Sequence, residues 1–443
     1  MLIHQVLTAA GLDDDQADLY RSLVLARREP VERIAVLAKL PDDRAASALA
    51  TLLRLGLLDE TLTEDGRRAV TCSGIDALER RLMASGAALA AGTVEWVLGK
   101  LRLYRERLDV LSATIIMPAD RHATWKARTD VPRAVHALMP ALDLRIGTVC
   151  NFNCLYCLVG HEKKGLRSPA DLERELRLGR RRNLARVNLT GGEPTLHPRI
   201  FDVIATARGL GYTGVTLVSN AATLAYPERL QRFLDAGVDR FGFSLDTVDA
   251  GVADTLVQRP GTLPAVLRGI ENVLDAASAE PRLRVYAICV VTLANLCGLR
   301  DTVSWLAERA RARGVELLLS LDFVIAEENA WVHRERILPR ASDAAPLVAD
   351  AVRVGRAAGL VMTHRNLPPC VLPDDVRDAC LDDHLRIGRV FDVPGEAAYE
   401  DEAIDFYRVK RPSCRGCRFF RTCWGVHMSY VHVHGFEEFE AVP

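Results

Sequence analysis

The sequence predicts an α/β fold with a parallel sheet at its centre, a helical module before it and a cysteine-rich segment after it. From residue 142 onward, apolar strand-like runs alternate with segments of helical period, as in parallel β/α units. Before residue 75, the apolar residues follow a helical period. Six of the eleven cysteines fall in two groups, 150–157 and 414–423. Cysteines grouped in this way favour metal binding over disulfide bonding.

The composition is that of an ordinary globular protein. Its 443 residues are 49% hydrophobic and 26% charged, enough for two or three domains with a sizeable core. A net charge of −1 gives no global attraction to nucleic acid or to an anionic membrane. There is no apolar run of membrane-spanning length and no signal-peptide pattern at the start. We therefore expect a cytoplasmic protein without a membrane partner.

Residues 1–75 are interpreted as one compact module. Helical periodicity covers residues 14–26, 32–40 and 42–55. Gly56 is placed to end the third of these helices. Segments 57–60 and 68–71 are then predicted to pair as a hairpin. Three helices and a hairpin resemble a winged helix–turn–helix module.

The charges of the third helix argue against DNA binding. Arg44 and Arg54 are balanced there by Asp42 and Asp43, whereas a recognition helix needs cations for phosphates. Peptide capture by strand addition to the hairpin edge is the preferred role, and a docking or dimerisation scaffold is the alternative. Residues 76–140 are predicted to be a helical linker that ends in a proline-punctuated boundary loop.

The central motif is a loop that carries Cys150, Cys154 and Cys157. It follows a predicted strand at 142–147, and the spacing lets three thiolates converge on one metal centre. Thiolates favour zinc, copper(I) or iron–sulfur clusters. Three of them leave one iron of a four-iron cluster without a protein ligand, and that iron can bind a substrate or cofactor. A structural zinc site is the alternative, and it would need a fourth ligand.

The three cysteines form Cys-x3-Cys-x2-Cys, with Tyr156 before the last of them, and the turn Thr190-Gly191-Gly192-Glu193-Pro194 follows later in the chain. This pair of motifs resembles the signature of the radical S-adenosylmethionine (SAM) superfamily. The resemblance covers roughly residues 140–325. It implies that the three cysteines hold a 4Fe–4S cluster whose fourth iron is chelated by SAM, with Tyr156 near the adenine. It also implies reductive cleavage of SAM to a 5′-deoxyadenosyl radical that abstracts hydrogen from a substrate. The electron would come from an external donor such as flavodoxin or ferredoxin.

The resemblance also implies a partial (β/α)6 TIM-like barrel over residues 141–325. We predict strands at 142–147, 185–190, 213–219, 239–244, 283–291 and 315–321, and helices at about 170–182, 197–209, 224–236, 263–279 and 297–313. In such barrels the chemistry lies at the carboxyl ends of the strands.

Several residues at these strand ends are assigned to SAM by the resemblance. Glu193, in its turn with Gly191 and Gly192, would meet the methionyl amino group. The methionyl carboxylate and the ribose hydroxyls would meet Ser219, Asn220, Ser244 and Asp246. Val291 would lie beside the adenine. Helix capping is the alternative role for Ser219 and Ser244.

Residues 326–443 are predicted to form a small cysteine-rich domain. Cys414, Cys417 and Cys423 form Cys-x2-Cys-x5-Cys, and Cys370 lies upstream. This pattern resembles the auxiliary-cluster domains called SPASM or twitch. His427 stands where the longer SPASM pattern has a further cysteine, which favours one auxiliary 4Fe–4S cluster on these four cysteines. Cys380 is the rival fourth ligand, an open site with three protein ligands is a further alternative, and structural zinc is the alternative metal. The histidines at 427, 432 and 434 are interpreted as part of a strand.

The substrate is the least determined feature. The preferred hypothesis is a peptide maturase that acts on a ribosomally made peptide. One alternative is a small metabolite of the nucleoside, sugar or aminoglycoside type. Another is an iron–sulfur regulator that binds DNA.

Overall fold

The computed structural model describes residues 2–25, 29–38, 40–62, 66–72, 75–85, 98, 141–159, 165–181, 184–379, 389–391, 408–420, 423 and 425–443. The chain divides into two compact units, residues 1–115 and 116–443. The predicted linker beyond residue 85 lies outside the described residues apart from Leu98, and Cys380 also lies outside them. No helix among the described residues is long and apolar enough to span a membrane.

The first unit combines short helices with a small antiparallel sheet. Its α-helices are Leu2–Ala9, Asp14–Leu25, Ile34–Ala38, Asp42–Arg54 and Ile75–Ser85. Its strands are β1 (Glu29–Pro30), β2 (Leu58–Leu62) and β3 (Arg68–Cys72), in the order β1-β3-β2. The predicted hairpin is present, with Leu58 opposite Cys72. The core of the unit is fully buried and includes Leu19, Tyr20 and Leu52.

Gly56 ends the helix Asp42–Arg54 as the sequence predicts. Its φ of +68° is left-handed, which glycine adopts without a Cβ clash. The amide of Gly56 donates to the carbonyl of Leu53, and the amide of Leu57 donates to that of Leu52. This pair of bonds is the Schellman motif, which satisfies the last helical carbonyls and turns the chain into β2.

The second unit is built on one parallel sheet. Its strands are β4 (Ala141–Arg145), β5 (Arg186–Thr190), β6 (Gly214–Ser219), β7 (Arg240–Ser244), β8 (Arg284–Val291), β9 (Leu317–Phe323), β10 (Val361–Arg365) and β11 (Arg389–Phe391), in the order β10-β9-β8-β7-β6-β5-β4-β11. The main helices between them are Pro169–Arg181, Ile200–Gly209, Pro227–Asp235, Ala250–Val257, Leu263–Ala279, Leu299–Ala312 and Ala341–Ala357. The predicted α/β class with a parallel sheet is confirmed.

All six predicted strands are present within two residues of their expected limits, and the sheet contains two more. β10 pairs in register with β9 although it lies past residue 325, where the sequence analysis ended the barrel. β11 pairs with β4 across a long stretch of chain. Both are short, and β10 reads Val-Met-Thr-His-Arg. Without a long apolar run or a strict alternation, such segments give no strand signal.

The C-terminal tail corrects one expectation. Two-residue strands β12 (Arg408–Val409) and β13 (Val426–His427) pair antiparallel, but the next residues form the helix Met428–His434. The alternation of histidine and valine suggested a strand. Instead Tyr430 and His434, four residues apart, lie on one helical face with ring centroids 5.0 Å apart, and Tyr430 is buried. A seven-residue segment is too short for periodicity to separate the two structures.

Candidate functional site

A cavity of about 460 Å³ lies at the carboxyl ends of the strands. Residues from the ends of seven strands line it: Arg145, Thr190, Ser219, Ser244, Val290, Asp322 and Arg365. In a flat sheet the outer two of seven strands would stand about 29 Å apart. Sharing one cavity therefore requires the sheet to curve around it. The outer strands β4 and β10 are not neighbours in the sheet order, so the curved sheet is consistent with a partial, open barrel.

The cysteine loop forms one wall of this cavity, and all three of its cysteines line it. The amides of Asn153 and Leu155 donate to the carbonyls of Val257 and Leu256, at 3.0 and 2.9 Å. These carbonyls belong to the last turn of the helix Ala250–Val257, where backbone acceptors lack helical partners. The loop is thus held by the end of a helix that the sequence analysis did not predict.

Asn329 holds the same loop from a second direction. Its Nδ2 donates to the carbonyl of Cys154 at 2.7 Å, and its amide donates to that of Cys157 at 3.3 Å. The side chain of Asn329 is buried. Asn329 was not predicted from the sequence, because it lies 175 positions from Cys154 and belongs to no motif.

The thiols suit an iron–sulfur cluster by their chemistry. The amide of Phe152 points at Cys150 Sγ, 3.3 Å away, as amides do around thiolate ligands. Burial, followed by the nearby Asp246 carboxylate, raises the pKa of Cys154, so metal binding there must displace a proton. No three described His, Cys, Asp or Glu side chains stand close enough to hold one metal ion. A four-iron cluster does not need that closeness, because each thiolate binds a different iron.

Gly191 and Gly192 are required by the cysteine loop itself. A Cβ at Gly191 would lie 2.3 Å from the carbonyl oxygen of Gly147, and one at Gly192 would lie 2.2 Å from that of Val149. The amides of Gly192 and Glu193 donate to these same two carbonyls at 2.8 Å. By the resemblance, the turn that contains these two glycines would meet SAM. The structure shows that the close approach is between two segments of the chain.

Glu193 connects its turn to the end of β6. Its buried carboxylate accepts hydrogen bonds from the Thr195 hydroxyl at 2.6 Å, the Ser219 hydroxyl at 2.8 Å and the Asn220 amide at 2.8 Å. Burial raises the pKa of Glu193, and these donors oppose that shift. The Asn220 side chain also donates to Asn151 Oδ1 at 2.7 Å. The turn, β6 and the cysteine loop therefore form one hydrogen-bonded unit.

Asp246 forms a second polar centre at the end of β7. Tyr156 donates its hydroxyl to Asp246 Oδ2, and the amide of Val290 donates to Oδ1 at 2.8 Å. Burial raises the pKa of Asp246 to about 6 and raises that of Tyr156 as well. Asn295, which the sequence analysis missed, donates to the carbonyls of Asp246 and Val290, both at 2.8 Å. It fixes the ends of β7 and β8 relative to each other.

Every residue that the sequence analysis assigned to the first cluster or to SAM lines this cavity, with one exception. Val291 is fully buried elsewhere, and its neighbour Val290 lines the cavity instead. Successive residues of a strand face opposite sides, so an error of one position reverses the side chain.

A second group of cysteines lies in the C-terminal part. Four cysteines and four phenylalanines line one narrow cavity there: Cys370, Cys414, Cys417, Cys423, Phe419, Phe420, Phe436 and Phe439. The amide of Gly425 points at Cys423 Sγ at 3.2 Å, and that of Val442 points at Cys417 Sγ at 3.4 Å. Burial and then the neighbouring thiols raise the pKa of Cys370 to about 12. Four soft donors and two amides directed at sulfur suit a thiolate-bound centre.

Comparison with known proteins agrees with this site. Residues 144–306 match the Radical SAM superfamily profile. Among curated relatives, the probable GTP 3′,8-cyclase of Pyrococcus abyssi is 35% identical, over 30% of this chain and 44% of the relative. The GTP 3′,8-cyclase of Synechococcus elongatus is 33% identical, over 41% of this chain and 56% of the relative. The chain thus spans about half the length of these curated relatives.

Among solved structures, SuiB of Streptococcus suis bound to S-adenosylmethionine is similar over 97% of this chain and 92% of its own. Its sequence identity is 14% and its TM-score is 0.48. The profile match runs from β4 into the helix Leu299–Ala312. It includes the cysteine loop and five of the seven strand ends that line the cavity, those of β4 to β8. Residues 144–306 are therefore a radical SAM domain, and this part of the chain belongs to the radical SAM superfamily.

Proposed function

We propose that the protein cleaves SAM reductively and uses the resulting radical to take hydrogen from a substrate. Cys150, Cys154 and Cys157 would hold a 4Fe–4S cluster in this reaction. The bound cluster and SAM supply the one-electron cleavage to methionine and a 5′-deoxyadenosyl radical. An external donor of the flavodoxin or ferredoxin type would supply the electron.

One observation carries this proposal. The three cysteines, the Gly191–Glu193 turn and the ends of seven strands line a single cavity. The chain's own part is to orient SAM and to exclude water from the reacting atoms. Ser244 and Asp246 are proposed to meet the ribose, and Asn220 to meet the methionyl carboxylate. Oε1 of Glu193 already accepts three hydrogen bonds and Oε2 accepts one, so the carboxylate would meet the methionyl amino group chiefly through Oε2.

Anaerobic reconstitution with iron and sulfide, followed by reduction with SAM, tests the proposal. We expect 5′-deoxyadenosine from the wild-type protein and none from Cys150→Ala. Cys297→Ala is the matched control because Cys297 is exposed and does not line the cavity. Equal product from Cys150→Ala and the wild type would contradict the proposal.

The C-terminal cysteines are proposed to hold one auxiliary 4Fe–4S cluster as a twitch-like site. This cluster would accept or relay an electron, or bind substrate, after hydrogen abstraction. The convergence of Cys370, Cys414, Cys417 and Cys423 on one cavity supports it. Structural zinc is the alternative for the same four thiols, and elemental analysis of the purified protein distinguishes the two metals.

A ribosomally made peptide is our preferred substrate, and the first unit supports this choice. β2 pairs with β3 on one side, and no described strand pairs with its other side. An extended peptide can add to such an edge through backbone hydrogen bonds. Leu62 on β2 is 58% exposed and would contact apolar peptide side chains. Residues 1–75 would then act as a winged-helix-like capture module.

Peptide binding can be tested with labelled short peptides encoded beside this gene. We expect Leu62→Lys to weaken binding at least tenfold in fluorescence anisotropy, about 1.4 kcal/mol. Leu347→Lys is the control, because Leu347 is an exposed leucine on a helix of the second unit. Equal affinity of both variants for every peptide would contradict capture at this edge.

A nucleotide or another small metabolite is the second candidate substrate. The identity of 33 to 35% to enzymes named GTP 3′,8-cyclase or probable GTP 3′,8-cyclase favours it. Arg145 and Arg365 both line the cavity and could meet an anionic group. GTP consumption with SAM by the reconstituted protein, in the absence of any peptide, would favour this candidate.

DNA binding receives less support. Of the two arginines on the helix Asp42–Arg54, Arg44 forms an ion pair with Asp15, and Arg54 donates to Thr51 of its own helix. Phosphate contacts would have to compete with both interactions. A mobility shift without formation of 5′-deoxyadenosine would reverse this ranking.

A further inference from the structure

A buried lysine lies in the wall of the C-terminal cysteine cavity. Lys410 is 4% exposed, and it lines the cavity that Cys370, Cys414, Cys417 and Cys423 share. Its Nζ donates to the carbonyl of Phe420 at 2.6 Å and lies 4.7 Å from the centre of that ring. An ammonium group is among the least favourable groups to bury unless negative charge lies nearby.

We infer that Lys410 is a positioning residue that holds a positive charge against the thiolate-bound centre and sets its reduction potential. The inference rests on the proposed auxiliary cluster. Four thiolates around a four-iron core carry net negative charge, and a one-electron reduction from an external reductant adds one more. A buried cation stabilises the reduced form more than the oxidised form, which raises the potential.

The surroundings strengthen this charge effect. Four phenylalanines line the cavity, and Lys410 itself is buried, so water screens its charge less than it screens that of an exposed cation. Arg415 lies between Cys414 and Cys417 in the sequence, but it is exposed. Its charge is screened by solvent. The chain therefore contains a buried and an exposed cation beside the same thiols, which allows a matched comparison.

The test is a redox titration of the full reconstituted chain, monitored by electron paramagnetic resonance, in a Cys150→Ala background that isolates the C-terminal signal. Lys410→Gln keeps a donor for Phe420 and removes the charge. We expect it to shift the reduction equilibrium about tenfold toward the oxidised form, ~59 mV for one electron. Lys410→Arg should restore the wild-type potential, and Arg415→Gln should shift the equilibrium less than twofold.

If Lys410→Gln does not fold, Lys410→Met provides the uncharged variant, and a thermal melt establishes its folded state. The role of Lys410 would be overturned, and the auxiliary cluster would stand, if the iron signal is intact and Lys410→Gln and Arg415→Gln shift the reduction potential equally. The same holds if neither variant shifts the potential. Zinc at the four cysteines, or an iron content that Cys414→Ser leaves unchanged, would overturn it together with the auxiliary cluster. The first cluster is tested separately, by measuring the formation of 5′-deoxyadenosine in protein that retains Cys150.

Discussion

The hydroxyl of Tyr156 donates to the carboxylate of Asp246 and joins the cysteine loop to the end of β7. The two residues lie 90 positions apart, and both line the cavity with Cys154 and Cys157. Asp246 is 8% exposed. Its burial raises its pKa although both of its oxygens accept hydrogen bonds, so desolvation outweighs the donors.

We predict a pH-dependent stability from Asp246 in the metal-free protein. Its pKa rises from 3.8 in the unfolded chain to about 6 in the folded one. The unfolded chain therefore loses its proton first as the pH increases. The contribution of this group to stability is greatest below about pH 4, and it falls as the pH rises through about 6, by about 3 kcal/mol in total. Asp246→Asn should remove this part of the slope. Urea unfolding at pH 4 and pH 6.5 measures it, and identical slopes in both proteins would contradict the assignment.

We predict that Asn329→Ala weakens cluster binding. The substitution removes the hydrogen bond from Nδ2 to the carbonyl of Cys154 and leaves that carbonyl without this donor, a loss of about 1–3 kcal/mol in loop stability. Iron and sulfide content after reconstitution should fall. Asn272→Ala is the control, since Asn272 Nδ2 makes the same kind of bond to the carbonyl of Leu224. A similar loss of iron in both variants would indicate general destabilisation.

We predict that Gly192→Ala destabilises the protein and that Gly209→Ala does not. A Cβ at Gly192 would lie 2.2 Å from the Val149 carbonyl oxygen, which forces the turn and the cysteine loop apart at a cost of ~3 kcal/mol. Gly209 ends a helix and has nothing within 4 Å of a Cβ, so alanine there should stabilise by about 0.5–1 kcal/mol. Urea midpoints measure both effects. A tolerated Gly192→Ala would mean that the glycine serves a ligand instead of the loop.

We predict that Cys423→Ser lowers the iron content by about four atoms per chain, the content of one cluster. Formation of 5′-deoxyadenosine should persist, because Cys423 lines a different cavity from the first three cysteines. Cys297→Ser, at an exposed cysteine, should change neither quantity. Loss of 5′-deoxyadenosine in Cys423→Ser at full iron content would assign the C-terminal thiols a different role.

Much of the sheet and of the cavity could be predicted from local sequence. Buried parallel strands such as Arg284–Val291 are long and apolar, and the cysteine spacing is short enough to act within one loop. Ser219, Ser244 and Asp246 could be placed together because the carboxyl ends of parallel strands meet at one edge. The short strand Val361–Arg365 gave no such signal, because it joins the sheet by pairing with β9 and not by its own pattern.

The sequence by itself predicted the class of chemistry, because ligand type and spacing are local properties of Cys150–Cys157 and of the Gly191–Glu193 turn. Only the tertiary structure decided what holds these groups in place. Asn329 and Lys410 belong to no motif, and only folding brings them to the backbone carbonyls of Cys154 and Phe420 to which they donate. Their burial, and hence the strength of their interactions, depends on the packing of distant segments, which no local pattern contains.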